Sequence, residues 1–277
     1  MRIDYISMRR SPEDIRTLKN PACPLVCLTA YTAPFATAID RHCDILLVGD
    51  SVAMTIYGMA STRGATMDMM AAHGRAVTNA TTQACIVIDM PFGSYEDSDE
   101  DALRNARRLM TETGAQAVKL EGGLTMATRI RTLVDAGIPV LGHVGLLPQQ
   151  FERAEDFKIQ GRDAEGARKI LEDAKAAEEA GVFALVIEGV PEPVAAEITQ
   201  NTSVPTIGIG ASGACDGQIL VCDDVLGLNT GHVAKFVKTY ADLAGEIDRA
   251  AAAYAADVRA RRFPTPRHVY GTIKTKD

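Results

Sequence analysis

The chain has 277 residues, of which 47% are hydrophobic by a wide count, 23% charged and 5% aromatic, the composition of an ordinary globular protein. Its 29 basic and 36 acidic side chains leave a net charge of −7 and a pI near 5.3, which excludes a surface built to hold the phosphate backbone of nucleic acid. No run approaches the roughly 18 apolar residues of a membrane span, and the six cysteines contain no C-x-x-C pair, so neither a membrane role nor a zinc or disulfide framework is expected.

Arg9-Arg10 is followed by Ser-Pro-Glu-Asp where a twin-arginine leader needs an apolar segment, and the protein is expected in the cytoplasm. Apolar runs follow in chain order at Leu25–Leu28, Ile45–Val48, Cys85–Ile88, Ala117–Leu120, Pro139–Leu141, Ala184–Ile187 and Thr206–Ile209, with a weaker eighth at Val225–Leu228. They are short, rich in Val, Ile and Leu, and polar on neither face, the pattern of parallel strands buried on both sides. Helical patterns lie between them. Ser98-Asp-Glu-Asp101 opens one that Gly114 closes, Ala164–Ala180 stops at Gly181, and Pro191 and Pro193 start another. Strands alternating with helices at this length predict a single α/β domain over 1–277, a (β/α)8 TIM barrel. A doubly wound open sheet is the runner-up. Residues 1–20 read as an N-terminal extension. Leu243–Arg262 reads as an amphipathic C-terminal helix with Ile247 and Tyr254 on one side, followed by a polar tail at 263–277.

The chemistry is expected where the strands end. Asp50 and Ser51 follow the second run, Asp89 the third, Lys119 and Glu121 lie in and after the fourth, His143 ends the fifth and Glu188 the sixth. In a barrel the carboxyl ends of the strands share the face that carries the active site, and strand alternation points Lys119 and Glu121 the same way. One acid at a strand end is as well explained by helix capping. Clustered like charges repel unless a cation joins them, so four acids together fit capping poorly. An oxygen-rich set without paired cysteines selects a hard metal, Mg²⁺ first and Mn²⁺ second. Lys119 beside it suits an anionic substrate such as a 2-oxo acid. Glu188, at the end of an apolar run, suits a general base with a raised pKa. The residues alone thus reach metal-assisted enolisation of an oxo acid.

Other motifs weigh less. Gly208-Ile-Gly-Ala-Ser-Gly213 matches G-x-G-x-x-G but follows the seventh strand rather than the first, against a dinucleotide site. Gly49-Asp50-Ser51 lacks the late Asp-x-x-His of serine esterases, and there is no G-x-S-x-G elbow. Met67, Met69 and Met70 are expected to pack, and His73 to be structural. His143 divides evenly between orienting the site and structure.

The chain resembles the ketopantoate hydroxymethyltransferase (3-methyl-2-oxobutanoate hydroxymethyltransferase) family. The resemblance rests on Leu28-Thr-Ala-Tyr31, Leu47-Val-Gly-Asp-Ser51, Asp89-Met-Pro-Phe92, Val118-Lys-Leu-Glu-Gly-Gly123, Gly142-His-Val-Gly-Leu146 with Pro148-Gln149, Ile159-Gln-Gly161, Pro205-Thr-Ile-Gly-Ile-Gly-Ala211, Asp216-Gly-Gln-Ile-Leu-Val221 and Lys235-Phe236. It implies a Mg²⁺-dependent barrel, one ion per subunit, assembled as a homodecamer. The implied reaction moves a one-carbon unit from 5,10-methylenetetrahydrofolate to 3-methyl-2-oxobutanoate through an enolate, giving ketopantoate for pantothenate and coenzyme A synthesis. Carried over by position, it makes Asp50, Asp89 and Glu121 the metal site, Asp50, Ser51, Asp89 and Lys119 the oxo-acid contacts, and Glu188 the proton acceptor. The chain departs from the family pattern in loops. Met59-Ala-Ser-Thr-Arg-Gly64 stands for His-Asp-Ser-Thr-Leu-Pro, Leu147 for a threonine, Glu155-Asp156 near a missing glycine pair, and Asp223 for a histidine. These loops bear on substrate shape and donor affinity. Two rivals are a lyase or mutase of the phosphoenolpyruvate mutase/isocitrate lyase type, whose Lys-Lys-Cys-Gly-His or Glu-Asp-Lys signature is absent, and a barrel without catalysis, in which an intact acidic set would be unneeded.

Overall fold

The computed structural model describes residues 9–20, 22–229, 231 and 233–271. The outer parts of the expected extension (1–8) and tail (272–277) lie outside the described residues. The chain divides into two compact units, Met1–Cys222 and Asp223–Asp277.

Eight parallel strands close a barrel in the first unit, in sequence order and with the last paired to the first. They are β1 (Leu25–Thr29), β2 (Ile45–Val48), β3 (Cys85–Asp89), β4 (Ala117–Lys119), β5 (Val140–Gly145), β6 (Ala184–Glu188), β7 (Thr206–Ile209) and β8 (Gly217–Leu220). The helices are α1 (Pro12–Arg16), α2 (Ala33–Ile39), α3 (Val52–Thr55), α4 (Met67–Asn79), α5 (Asp99–Thr113), α6 (Ala127–Asp135), α7 (Ala164–Ala180), α8 (Glu192–Asn201), α9 (Cys222–Leu226) and α10 (Leu243–Arg259). The predicted punctuation holds. Ser98 Oγ accepts the Asp101 amide at 3.0 Å at the start of α5, and Gly114 ends that helix at φ 72°. Asp163 caps α7, which Gly181 ends at φ 100°. At both ends a glycine takes the left-handed conformation that a side chain resists.

The eighth strand is a correction. Val225–Leu228 is not a strand: Cys222–Leu226 is helical, with Asp223 and Asp224 in its first turn, where acids favour a helix start. Gly227 follows at φ 66°. The strand is Gly217–Leu220, whose Gly and Gln dilute the apolar signal but whose backbone bonds to β7 and β1 close the barrel. No helix separates it from β7. Asp216 organises the intervening loop 210–216, accepting the Thr206 amide at 2.9 Å and pairing with Lys19 Nζ at 2.9 Å.

Period-two alternation sorts the strand residues into two cores. Ile86, Ile88, Val118, Leu120 and Leu185 face the helices, while Cys27, Ile45, Cys85, Val87, Ala117, Leu141 and Val186 fill the barrel. Ile15 of α1, fully buried, belongs to the inner core and joins the N-terminal extension to it. All six cysteines are free and five are buried, as apolar fillers. Met70 is buried, Met67 and Met69 half-buried.

In the second unit α10 buries no residue, and Ile247 and Tyr254 are exposed. Tyr254 meets Phe263 with ring centroids 5.6 Å apart, and Phe263 in turn meets His268 of a short 3-10 turn. No helix among the described residues is long and apolar enough to cross a membrane.

Candidate active site

The inward-pointing column of each strand continues past the apolar core into polar residues. Cys85 and Val87 lead to Asp89, Ala117 to Lys119 and Glu121, Leu141 to His143, and Ala184 and Val186 to Glu188. Asp50, Asp89, Lys119, Glu121 and His143 are all buried. The Glu188 side chain, 16% exposed, is the most open to solvent of these. Five strand ends thus place their polar side chains around one mouth.

Contacts join the set. Lys119 Nζ lies 3.1 Å from Asp89 Oδ1, off hydrogen-bond alignment, and 3.3 Å from His143 Nδ1. The Asp50 amide donates to Asp89 Oδ2 at 2.9 Å. A side chain on Gly49 would come within 2.7 Å of Ser51 Oγ and push that hydroxyl from its place. Ser51 Oγ bonds the Tyr31 hydroxyl at 2.7 Å. His143 Nε2 lies 3.2 Å from Glu188 Oε2, and Nδ1 lies 3.7 Å from Glu121 Oε1. Gly145, at φ 97°, lets β5 pass close to the Glu188 carbonyl, which a Cβ would approach to 2.3 Å.

Two residues without a sequence-assigned role hold the acids in place. Gln149 donates its amide nitrogen to Asp50 Oδ2 at 2.8 Å and to the Met90 carbonyl at 3.0 Å. Its backbone N–H donates to Glu121 Oε2 at 3.0 Å. The Tyr95 hydroxyl donates to Gln149 Oε1 at 2.6 Å and accepts the Glu121 amide at 3.2 Å. Gln149 therefore bridges two carboxylates predicted to act together. Its signal in the sequence was only a Pro-Gln pair beyond β5.

Burial sets the electrostatics. It pushes the Asp50 carboxyl up, with Asp89's charge adding, to about 7 against the pull of Lys119 and Gln149. It also pushes Glu121 well above the carboxylate range and Glu188 to about 7, with Lys119 opposing both. Burial alone would lower the Lys119 ammonium, but Asp89, Glu121 and Asp50 reverse this and hold it charged. Burial and then Lys119 hold His143 well below its ordinary pKa, so its ring is neutral at pH 7. A neutral ring facing an ammonium at Nδ1 takes the tautomer with the proton on Nε2, toward Glu188.

Other predicted positions fall elsewhere. His73, on α4, donates its Nδ1–H to the Tyr31 carbonyl at 2.6 Å, and its Nε2 bonds the Tyr57 hydroxyl at 3.1 Å, a structural placement. The Gly208–Gly213 segment ends β7 and enters the helix-free loop to β8, so it forms no dinucleotide-binding strand–turn–helix. A cleft of about 270 Å³ opens beside the acids, lined by Arg63, Phe92, Tyr95, Glu121, Leu147 and Gln149 among others.

The metal expectation meets a mixed set. Among the described residues no three His, Cys, Asp or Glu side chains stand together as a ready-made metal cluster. The chemistry of the donors nevertheless fits Mg²⁺, which usually takes one or two carboxylates and completes its shell with water and substrate oxygens. Asp89 Oδ1 is buried with no hydrogen-bond donor aligned on it, and the cation it faces in this structure is the Lys119 ammonium, 3.1 Å away.

Fold and mouth together are those of a (β/α)8-barrel enzyme, with ionisable residues gathered on the carboxyl-end face. The ketopantoate hydroxymethyltransferase family model matches residues 9–266, and the chain belongs to that family. It is 55% identical over 267 residues to a 3-methyl-2-oxobutanoate hydroxymethyltransferase of Rhodospirillum rubrum, covering 96% of each chain. It is 56% identical over 263 residues to that of Paracoccus denitrificans, covering 95% of each. With the family comes the class of activity, a transferase. Among solved structures, a 2,3-dimethylmalate lyase of the PEP mutase/isocitrate lyase superfamily matches with TM-score 0.58 at 17% identity, over 96% of this chain and 91% of that one. A phosphonopyruvate hydrolase solved with oxalate and Mg²⁺ matches with TM-score 0.60 at 10% identity, over 95% and 93%. At such identities the likeness is one of fold.

Proposed function

We propose that this enzyme transfers a hydroxymethyl group from 5,10-methylenetetrahydrofolate to 3-methyl-2-oxobutanoate, giving ketopantoate for pantothenate and coenzyme A synthesis in the cytoplasm, as a homo-oligomer that by family resemblance is a decamer. The reading rests on one observation above the rest: three carboxylates, one charged lysine and a carboxyl with a pKa near 7 converge at one mouth, in a chain 55% identical to proteins of that name.

Asp50, Asp89 and Glu121 are the residues that would hold Mg²⁺. When bound, the ion polarises the oxo-acid carbonyl and makes the C3 proton more acidic. The rest of the work falls to the chain. Lys119 offsets the substrate carboxylate, and Asp50, Ser51 and Asp89 orient the oxo acid. Glu188, the most solvent-open of the strand-end acids, takes the proton from C3, with His143 Nε2 standing 3.2 Å from its carboxylate. The C3 carbon then bonds to the donor's methylene carbon while both bonds from that carbon to the folate nitrogens break. Water supplies the hydroxyl oxygen, and one proton from water and the one removed from C3 go to the two nitrogens of the departing tetrahydrofolate. A carboxyl near pKa 7 is matched to proton abstraction at neutral pH. The test is a coupled assay with 3-methyl-2-oxobutanoate, methylenetetrahydrofolate and Mg²⁺. Formation of ketopantoate supports the reading, and its absence from folded, metal-loaded protein overturns it.

A further inference from the structure

The cleft beside the acids contains a cation, Arg63, that makes no salt bridge among the described residues. Arg63, in the 3-10 turn Thr62–Gly64, lays its guanidinium 3.8 Å above the ring of Phe92, a residue 39% exposed. The ring face attracts the guanidinium by a cation–π contact, which uses none of its N–H donors. Many other arginines of the chain meet a carboxylate (Arg10, Arg75, Arg108, Arg129 and Arg262 among them). Among the described residues none lies within salt-bridge reach of Arg63. Glu96, which lines the same cleft, instead accepts the Tyr95 amide at 3.0 Å.

The location gives this cation a purpose. Glu121 and Gln149 belong both to the cleft wall and to the acidic set, so a molecule seated here reaches the oxo-acid site. Lys119, buried within the acidic set, is already assigned to the oxo acid's carboxylate, so a second anion needs a second cation. A chain of net charge −7 needs a local cation to hold an anionic co-substrate. Phe92, Tyr95, Met126 and Leu147 supply aromatic and apolar wall for a ring. At about 270 Å³ the cleft lies just under the roughly 300–1,000 Å³ of small-molecule sites, room for part of a donor of folate size. Arg63 and Leu147 are also two of the loop positions at which the chain departs from the family pattern.

We propose that Arg63, seated over the Phe92 ring, pairs with a glutamate-tail carboxylate of the folate donor and sets the enzyme's preference for that co-substrate. The inference rests on the hydroxymethyltransferase reading and adds a residue to it. Its test is calorimetric titration of tetrahydrofolate into Mg²⁺- and oxo-acid-loaded protein, at several salt concentrations, for wild type, Arg63→Leu and Arg63→Lys. A charge-assisted pair predicts that Arg63→Leu raises the tetrahydrofolate Kd by roughly ten- to a hundredfold and flattens its salt dependence. Arg63→Lys should keep the salt dependence with a smaller loss, and oxo-acid affinity should stay at its wild-type value in both. An Arg63→Leu protein with wild-type Kd and salt slope overturns the inference alone, as does one that loses oxo-acid affinity to the same degree. A folded wild type that binds no tetrahydrofolate overturns the proposed function and this inference with it.

Discussion

At the scale of single residues, the environment of Glu188 makes its assignment testable. Its carboxyl is raised to about 7 by burial, so in the free enzyme the basic form grows as pH rises through that value and levels above it. C3 proton exchange of the oxo acid should follow the same curve. Glu188→Gln should bind the oxo acid normally and lose exchange by roughly 10²–10⁴; exchange at the wild-type rate, followed by NMR in D₂O, would move the role to another group. The residues that carry charge were legible because strand alternation and the barrel's polarity say where strand-end side chains point. Gln149 was not. A neutral amide in a loop has no periodicity and no charge, and its importance arises only when β5 carries it between Asp50 and Glu121. Gln149→Ala should leave the melting temperature within a few degrees and weaken Mg²⁺ or oxo-acid binding by about 10–100-fold, as loss of a group that orients ligands does. Unchanged affinities by calorimetry would reduce Gln149 to a packing residue.

At the scale of elements, seven of the eight strands were readable because each is a short apolar run buried on both faces. The eighth was misplaced for a physical reason. Gly217 and Gln218 form a strand because two neighbours leave a gap that closure must fill, a demand made by the whole barrel and absent from local pattern. With no helix between β7 and β8, Asp216 replaces that support. It is buried, accepts from the Thr206 amide and hydroxyl, and pairs with Lys19, which also donates to the Thr199 and Val204 carbonyls. Asp216→Ala strands these donors and should cost about 2–4 kcal/mol, less than a fully buried pair because Lys19 stays partly in water. Chemical denaturation checks this: a loss under about 0.5 kcal/mol, the level of an ordinary surface change, would mean that the β7–β8 loop holds without it.

At the scale of the molecule, the negative charge and the site's cation demand meet in stability. Asp50 and Glu188 titrate near 7 in the folded chain, and Glu121 lies well above the carboxylate range, while all three would titrate near 4 when unfolded. Between those values the folded chain binds more protons than the unfolded one. Stability therefore falls as pH rises through that window and is lowest, for these groups, once the raised pKa values are passed. Each pKa unit corresponds to about 1.4 kcal/mol, so the loss across the window is large enough to read as a fall in melting temperature. Mg²⁺ acts in the opposite direction. It competes with protons for Asp50 and Glu121, and it stabilises the folded state in proportion to its affinity. The metal-free protein should lose melting temperature from pH 5.5 to 8, and the rise produced by millimolar Mg²⁺ should grow over the same range. Calorimetry in buffers of different ionisation enthalpy should register protons released as Mg²⁺ binds at pH 6.5. A Mg²⁺ effect independent of pH, or one kept in full by Asp50→Asn, would place the cation away from these carboxylates and leave their raised pKa values as a cost of burial alone.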